Sequence, residues 1–556
     1  MNSSVRHALI PLLLVLAPAV VAQPSPRRPR GIYADVGIGE ILANQESANP
    51  SITPAEFEAY LISLYQELLA NPAVSGLAIW EGWSKLNPNP PTSTDPYDWS
   101  YLDDAFNQAS AWNSQNPGFA PKTIQLYVLP GFETPQWVMD QIPSCDGLFQ
   151  SPVQTPPSTC GSATFVGFVE GGGTRDLPMP WNTFYKSSWQ TFLTALAARY
   201  GSNPAFVSIA VAGPTASSEE MIFPNNANTT NPQTQFGVDI APNDMWRQLL
   251  AFHYPGMAAY QNSDQAFIDE WNAAIDMYGE IFSGVTLTAS TGTGFPNLST
   301  TGFTVPSGFS ADCPAPDMDC AAEATILAHL AEPTVGGSNA KATQEDGMEA
   351  SRAIGGNLRV GWLSQTTAQL TSPSAQVLGG LQFNSSFSQF TLQEGCTSTF
   401  PPDSSDTPAA CSIPSSCTVP GCLPVACIPQ ACLAPGVTPA SLASYGTFSK
   451  VPPKDLIPPE QAEYNVLKQF FNNTAVASSF GGTQGTVPFN YLQIYSEDFQ
   501  YADAHVNAPA QVVEAGGVTV TVTAQALLNL ASQNLLEIAE PTPPRHVVRR
   551  HLEGKP

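Results

Sequence analysis

Eight short apolar runs recur along the 556-residue chain, at 31–38 (GIYADVGI), 76–83 (GLAIWEGW), 123–131 (TIQLYVLPG), 206–213 (FVSIAVAG), 284–290 (GVTLTAS), 357–364 (NLRVGWLS), 376–383 (QVLGGLQF) and 491–498 (YLQIYSED). Most end in Gly, Pro or a carboxylate, as strands do where they give way to a turn. Helical patterns lie between several of them. Thr53 to Ala70 places apolar residues three and four apart, and Thr53 with Pro54 and Glu56 forms a capping sequence. Further helices are predicted from near Trp99, over Trp181 to Tyr200, and over Asp264 to Phe282. Strand and helix alternating eight times predicts an α/β fold, a (β/α)8 TIM barrel over residues 31–540. Such barrels carry chemistry at the C-terminal ends of their strands.

The ends of the chain break this pattern. Residues 1–22 read as a signal peptide: Arg6, then an apolar stretch from Ala8 to Val21, then small residues at Val20-Val21-Ala22. Residues 23–30 form a basic, Pro-rich leader, and residues 541–556 a Pro- and Arg-rich tail expected to be disordered. No later segment approaches 18 uncharged apolar residues, so no membrane insertion is expected. A secreted, extracellular protein also fits ten cysteines and the N-x-S/T acceptors Asn228, Asn297, Asn384 and Asn472.

Cys145 and Cys160 are expected to pair across a long loop, and Cys313 and Cys320 to clip another. The other six, Cys396, Cys411, Cys417, Cys422, Cys427 and Cys432, fall within residues 391–456, a Pro- and Ser-rich stretch before the last strand. With no CxxC pair and no nearby His, that stretch reads as a disulfide-stapled insertion rather than a metal site, with its connectivity open.

Charge narrows the partners. Residues 31–544 hold 12 basic and 45 acidic side chains, a balance of −33. Such a surface repels nucleic acid and anionic membranes, while neutral sugars meet no such barrier. No Walker loop, no strand-linked GxGxxG, no HExxH and no GxSxG occurs, so no metal and no cofactor is implied. The oligomeric state is not legible.

Carboxylates and aromatics remain. Glycoside cleavage uses two carboxyl groups across the scissile bond, and sugar rings stack on flat aromatic faces. Trp80, Glu81 and Trp83 close the second predicted strand, Glu133 and Trp137 follow the third, and Glu219 and Glu220 follow the fourth. Trp362 lies in the sixth, and Tyr495 and Glu497 in the eighth, where alternation puts them on one face with Gln493. Asp35 in the first strand either positions a sugar hydroxyl or seals the barrel floor. Glu220 is favoured over Glu219 as general acid, because Met221-Ile222-Phe223 would set it against apolar surface.

The runs VSGLAIWEGWSKLNP…YDWSYLDDAF, LYVLPGFETPQW and LPMPWNTFYKSSWQTFLTALAARYGSNPAFVSIAVAGPTASSEEM resemble the second, third and fourth strand regions of secreted (β/α)8 glycoside hydrolases. The clan in question includes β-galactosidases and cellulases, and the resemblance covers about residues 31–290. It implies Glu220 or Glu219 as acid/base and a carboxylate nucleophile. The clan's Asn-Glu pair at the fourth strand is replaced here by GPTASS before Glu219-Glu220, and the seventh run lacks the clan's Glu. Glu497 is the nearest substitute as nucleophile. The expected function is hydrolysis of a neutral poly- or oligosaccharide; the alternative is a barrel that binds carbohydrate in a cell wall or matrix without cleaving it.

Overall fold

In a computed structural model of the chain, the structure describes residues 29–168, 173–217, 220–282, 284–298, 341–345, 377–382, 422–428, 436–458, 489–514 and 517–536, with scattered positions between them. The first half begins with β1 (Gly31–Gly37), α1 (Ile38–Ala48), α2 (Pro54–Ala70) and β2 (Val74–Gly82). It continues with α3 (Trp83–Leu86), α4 (Ser100–Gln115), β3 (Thr123–Leu129) and α5 (Gln136–Met139). A hairpin, β4 (Ser162–Val166) with β5 (Thr174–Pro178), precedes α6 (Thr183–Tyr200) and β6 (Phe206–Ala210). Then come β7 (Glu220–Ile222), α7 (Pro242–His253), α8 (Ala258–Gln261), α9 (Gln265–Ile281) and β8 (Thr286–Gly294). The sheet is completed by β9 (Lys341–Glu345), β10 (Val377–Gln382) and β11 (Phe489–Tyr495). After it lie α10 (Ser496–Ala504), β12 (Ala510–Val513), β13 (Thr519–Val522) and α11 (Ala524–Leu536).

Parallel pairing runs from β1 through β2, β3, β6, β8, β9, β10 and β11 and back to β1, so the sheet curls onto itself. Seven of the eight predicted runs overlap these strands. The sixth does not: the sheet takes Lys341–Glu345 (KATQE), and 357–364 with Trp362 falls outside the described residues. Apolar density, the signal used to find strands, passes over a segment as polar as KATQE.

Helices cover the described part of the outer face. Ile32, Leu77, Ile79, Ile124, Leu126 and Ile209 point outward into one apolar core with Phe57, Leu61, Leu64, Leu102 and Phe106 of α2 and α4. The opposite parity fills the lumen with Tyr33, Ala78, Tyr127, Ala210 and Tyr491, capped by Trp80. The Thr53 capping box that starts α2 is formed in full: Thr53 Oγ1 accepts from the Glu56 N–H at 3.3 Å, and Glu56 takes the Thr53 N–H at 2.8 Å.

Cys145 and Cys160 are joined by a disulfide that closes the loop after β3. Within the Cys-rich stretch, Leu423, Val425, Ile428, Leu433, Leu442 and Val451 gather in a small apolar cluster separate from the barrel core. Cys422 and Cys427 lie in this part; Cys313, Cys320, Cys396, Cys411, Cys417 and Cys432 are outside the described residues, as are Asn384 and Asn472. Among the described residues no helix is long and apolar enough to cross a membrane.

Candidate active site

The C-terminal ends of parallel strands converge on one rim, so the groups they carry there face a shared space. β1 contributes Asp35, 4% exposed and in register with Ala78 of β2 and Tyr495 of β11. Alternation gives Asp35 the parity of Tyr33, whose ring lies in the lumen. Tyr495 ends β11 and stays partly exposed at the rim.

Trp80 comes from β2 with the inward parity of Ala78. Its ring lies flat against Tyr127, centroids 4.4 Å apart and planes 10° apart. The indole N–H is buried without a hydrogen-bond partner among the described residues, while the ring remains partly open. A flat face beside an unengaged donor suits a polyhydroxylated ligand. Below it, the Gln493 amide donates to Gln125 Oε1 at 2.6 Å and to the Tyr127 hydroxyl oxygen. Gln125 Nε2, Ser208 Oγ and Thr288 Oγ1 are buried there without partners among the described residues. The described lumen beneath Trp80 is therefore polar, and Asp35 adds a carboxyl group to it.

Glu81 is placed differently from the sequence expectation. With Trp80 turned inward, its neighbour turns outward, and Glu81 is buried on the helix side of β2, 5% exposed. Burial dominates its titration and pushes it up to about 7, opposed by the Gly82 N–H it accepts at 2.8 Å and by Lys85, and reinforced by Glu133 and Asp98. Its charge is near enough to Tyr65 of α2 to raise the titration of that buried hydroxyl. Trp83, expected as a stacking platform, is fully buried. Its ring packs against Trp189 at 4.9 Å and Tyr185 at 5.9 Å, and its N–H donates to Asn87 Oδ1 at 3.2 Å. The turn into α3 carries it under α6, so it serves the core.

Glu133 stays at the rim but not alone. Arg175 of β5 donates to Glu133 Oε1 at 2.6 Å and to the Phe132 carbonyl at 2.9 Å, with its guanidinium over the Phe132 ring. The Ser84 hydroxyl reaches Glu133 Oε2 at 3.3 Å. Both partners of the ion pair are about one-third exposed, so it offers a charged, preformed hydrogen-bonding edge. Sequence reasoning missed Arg175; its signal was a cation beside Gly-Gly-Gly in a body with few cations. Gln125, Tyr127 and Gln493 were legible from the two-residue alternation of TIQLYVL and YLQIY.

The loop after β6 is tied down at several points. Tyr185 donates to the Gly213 carbonyl at 2.6 Å, Trp189 to the Ala212 carbonyl at 3.3 Å, and the Ala216 N–H to the Ile222 carbonyl at 2.9 Å. Gly131, at φ +67°, lies so close to this loop that a Cβ there would run into the Ala216 carbonyl. The loop delivers Glu220 to β7, where its backbone registers with Ser290 of β8. Met221 and Phe223, immediately after it, are fully buried. Glu219 lies outside the described residues.

Glu497 departs from the alternation expected of it. β11 ends at Tyr495 and α10 begins at Ser496, so Glu497 belongs to the first turn of a helix, next to the buried Asp498. Trp137 does not join Trp80: its N–H donates to the Asn87 carbonyl at 3.0 Å, and it lines a separate groove outside the rim. Of the two described glycosylation acceptors, Asn297 is exposed at φ 54°. Asn228 is engaged, donating to the Phe223 carbonyl and accepting from the Asn225 N–H. One group of possible metal ligands appears among the described residues, Cys145, Cys160 and His253. Its two sulfurs are bonded to each other, and burial keeps the His253 imidazole below its usual range, so the group reads as packing around the disulfide.

No family model matches the chain, and no curated protein does. Among solved structures it is similar to the catalytic domain of β-amylase from Paenibacillus polymyxa, at 10% identity and a TM-score of 0.35, covering 65% of this chain and 88% of that one. It is also similar to β-galactosidase from the psychrophilic Marinomonas ef1, at 12% identity and a TM-score of 0.29, covering 62% of this chain and 45% of that one. For endo-glycoceramidase II from Rhodococcus sp. the values are 12% identity and a TM-score of 0.25, covering 65% of this chain and 68% of that one. Likenesses this loose carry no functional argument; the reading below rests on the rim itself.

Proposed function

We propose that the protein is a secreted glycoside hydrolase built on a complete (β/α)8 barrel, acting on a neutral poly- or oligosaccharide. The observation that carries this reading is the rim: Trp80 offers a partly open aromatic face and an N–H without a partner among the described residues above a polar lumen, with the carboxyl groups of Asp35 in β1 and Glu133 just after β3 nearby. Glu220 is assigned as general acid, at the start of β7, which pairs with β8 and follows a loop whose Ala216 carbonyl accepts the Phe132 N–H. Glu497, in the first turn after the eighth strand, is assigned as nucleophile or base.

In this mechanism the Trp80 face receives the sugar whose glycosidic bond breaks, and Asp35 and the Glu133–Arg175 pair bind hydroxyls around it. Glu220 protonates the leaving oxygen while Glu497 attacks the anomeric carbon or activates water. The acidic surface excludes charged polymers of its own sign and leaves neutral chains free to approach.

The test is turnover of a panel of 4-nitrophenyl glycosides by wild type, Glu220→Gln, Glu219→Gln and Glu497→Gln. The proposal expects at least one substrate to be cleaved and the rate to fall by about 100-fold or more in Glu220→Gln and Glu497→Gln. A panel left uncleaved by wild type while the same sugars bind would make the barrel a carbohydrate-binding protein instead.

A further inference from the structure

Outside the rim, a groove of about 500 Å3 runs between the loop after β2, α5 and the first half of α6. Its walls include Pro90, Trp137, Asp140, Phe184, Ser187 and Thr191. The volume lies within the range of pockets that hold small ligands.

The groove is built rigidly. Asn87, 1% exposed, fixes the loop behind Pro90, donating to the Asn89 and Pro96 carbonyls at 2.8 Å each and accepting from Trp83. Its own carbonyl accepts the Trp137 N–H, and the edge-to-face contact of Trp137 with Phe184 at 6.5 Å fixes the ring from the other side. Phe184 is 39% exposed.

The hydrogen-bonding character of the walls selects the ligand. Three donors around the groove are engaged elsewhere: the Trp137 indole N–H on Asn87, the Ser187 hydroxyl on the Phe184 carbonyl at 3.0 Å, and the Thr191 hydroxyl on the Ser187 carbonyl at 2.8 Å, while Thr92, Gln141 and Ser188 in the same walls carry groups that both donate and accept. The oxygens of Ser187 and Thr191 keep lone pairs, and Asp140 accepts from Gln136 on Oδ1 at 2.8 Å while its second oxygen adds acceptor capacity. A sugar chain, whose hydroxyls both donate and accept, suits this mixed set and brings C–H faces to the Trp137 ring.

We propose that this groove is a second carbohydrate site, distinct from the rim, that holds a neutral, hydroxyl-rich polysaccharide chain through the Trp137 face and the acceptors of Asp140, Ser187 and Thr191. The site goes beyond the hydrolytic reading, and its test needs no turnover. The full chain is run through native gels containing, in turn, a soluble β-glucan, galactan, mannan or starch, alongside Trp137→Ala, Phe184→Ala, Asp140→Asn and Glu220→Gln. At least one polymer is expected to retard the wild type, with affinity falling about tenfold in Trp137→Ala and less in the two milder variants. The exposed positions of Phe184 and Asp140 keep the test valid if Trp137→Ala fails to fold. Retardation should persist in Glu220→Gln, so a dead rim and an empty groove give different results. Absence of retardation by every polymer overturns the proposal. So does retardation that Phe184→Ala and Asp140→Asn leave unchanged, or binding of a Pro-rich peptide in place of any polymer.

Discussion

Replacing Glu81 with Gln tests whether a carboxyl group really sits on the helix side of β2. Glu81 is 5% exposed, and burial lifts its pKa from 4.5 to about 7. A carboxyl whose folded pKa is raised favours the folded state fully below its unfolded pKa. That contribution is lost as pH rises through the folded value, because the buried group must then ionise. The difference between 4.5 and about 7 corresponds to about 3 kcal/mol of stability lost between roughly pH 4 and pH 8. Gln stays neutral and still accepts the Gly82 N–H, so the variant keeps the contact and removes the titration. The assay is chemical denaturation followed by Trp fluorescence near pH 4 and near pH 8, in wild type and variant. Other carboxyls titrate in both proteins, so the difference between the two is the quantity to read. The variant should gain about 3 kcal/mol relative to wild type between the two conditions. Parallel pH dependences, agreeing within about 0.5 kcal/mol, would refute the buried placement of Glu81.

Trp83→Ala should cost about 3–5 kcal/mol in denaturant titrations, since Trp83 is sealed beneath Trp189 and Tyr185; a loss below about 1 kcal/mol would put the ring at the surface. Removing the Cys145–Cys160 disulfide, which spans 15 residues, should lower stability by about 3 kcal/mol, seen as a lower denaturation midpoint. Arg175→Met should change stability by no more than about 1 kcal/mol because its ion pair is one-third exposed, yet weaken sugar binding at the rim as measured by KM. Asn228→Ala should destabilise by about 1–2 kcal/mol through lost loop hydrogen bonds, whereas the exposed Asn297→Ala should cost about 1 kcal/mol for a different reason, the left-handed backbone at φ 54° that Asn tolerates better than Ala.

Much of the first half of the barrel was legible because each of its strands carries a dense apolar core face. The helix starting at Thr53 was legible for a local reason, its capping box. The sixth strand escaped because KATQE lacks the apolar density that marks the others. Site residues were legible to the extent that strand register could be inferred. Trp80 and Glu81 are neighbours in sequence, yet one faces the lumen and the other the helices, and only the choice of parity separates them. The same choice was available from Ala78 and Leu77 but needed knowledge of which face was polar. Trp83 and Trp137 lie past the strand ends, where alternation no longer applies and tertiary packing decides. Glu497 shows the same limit: two residues beyond Tyr495 the chain is already helical. Arg175 depends on a hairpin folding back over β3, a contact between positions 42 residues apart.

The central claim is that Glu220 donates a proton to a departing glycosidic oxygen. Its most direct measurement is kcat/KM for aryl glycosides of graded leaving-group acidity, in wild type and Glu220→Gln. The account predicts a shallow dependence for wild type and a steep one for the variant, with losses of about 100-fold or more on poor leaving groups and little loss on dinitrophenolate. An equal loss across all leaving groups, or no loss at all, would contradict it.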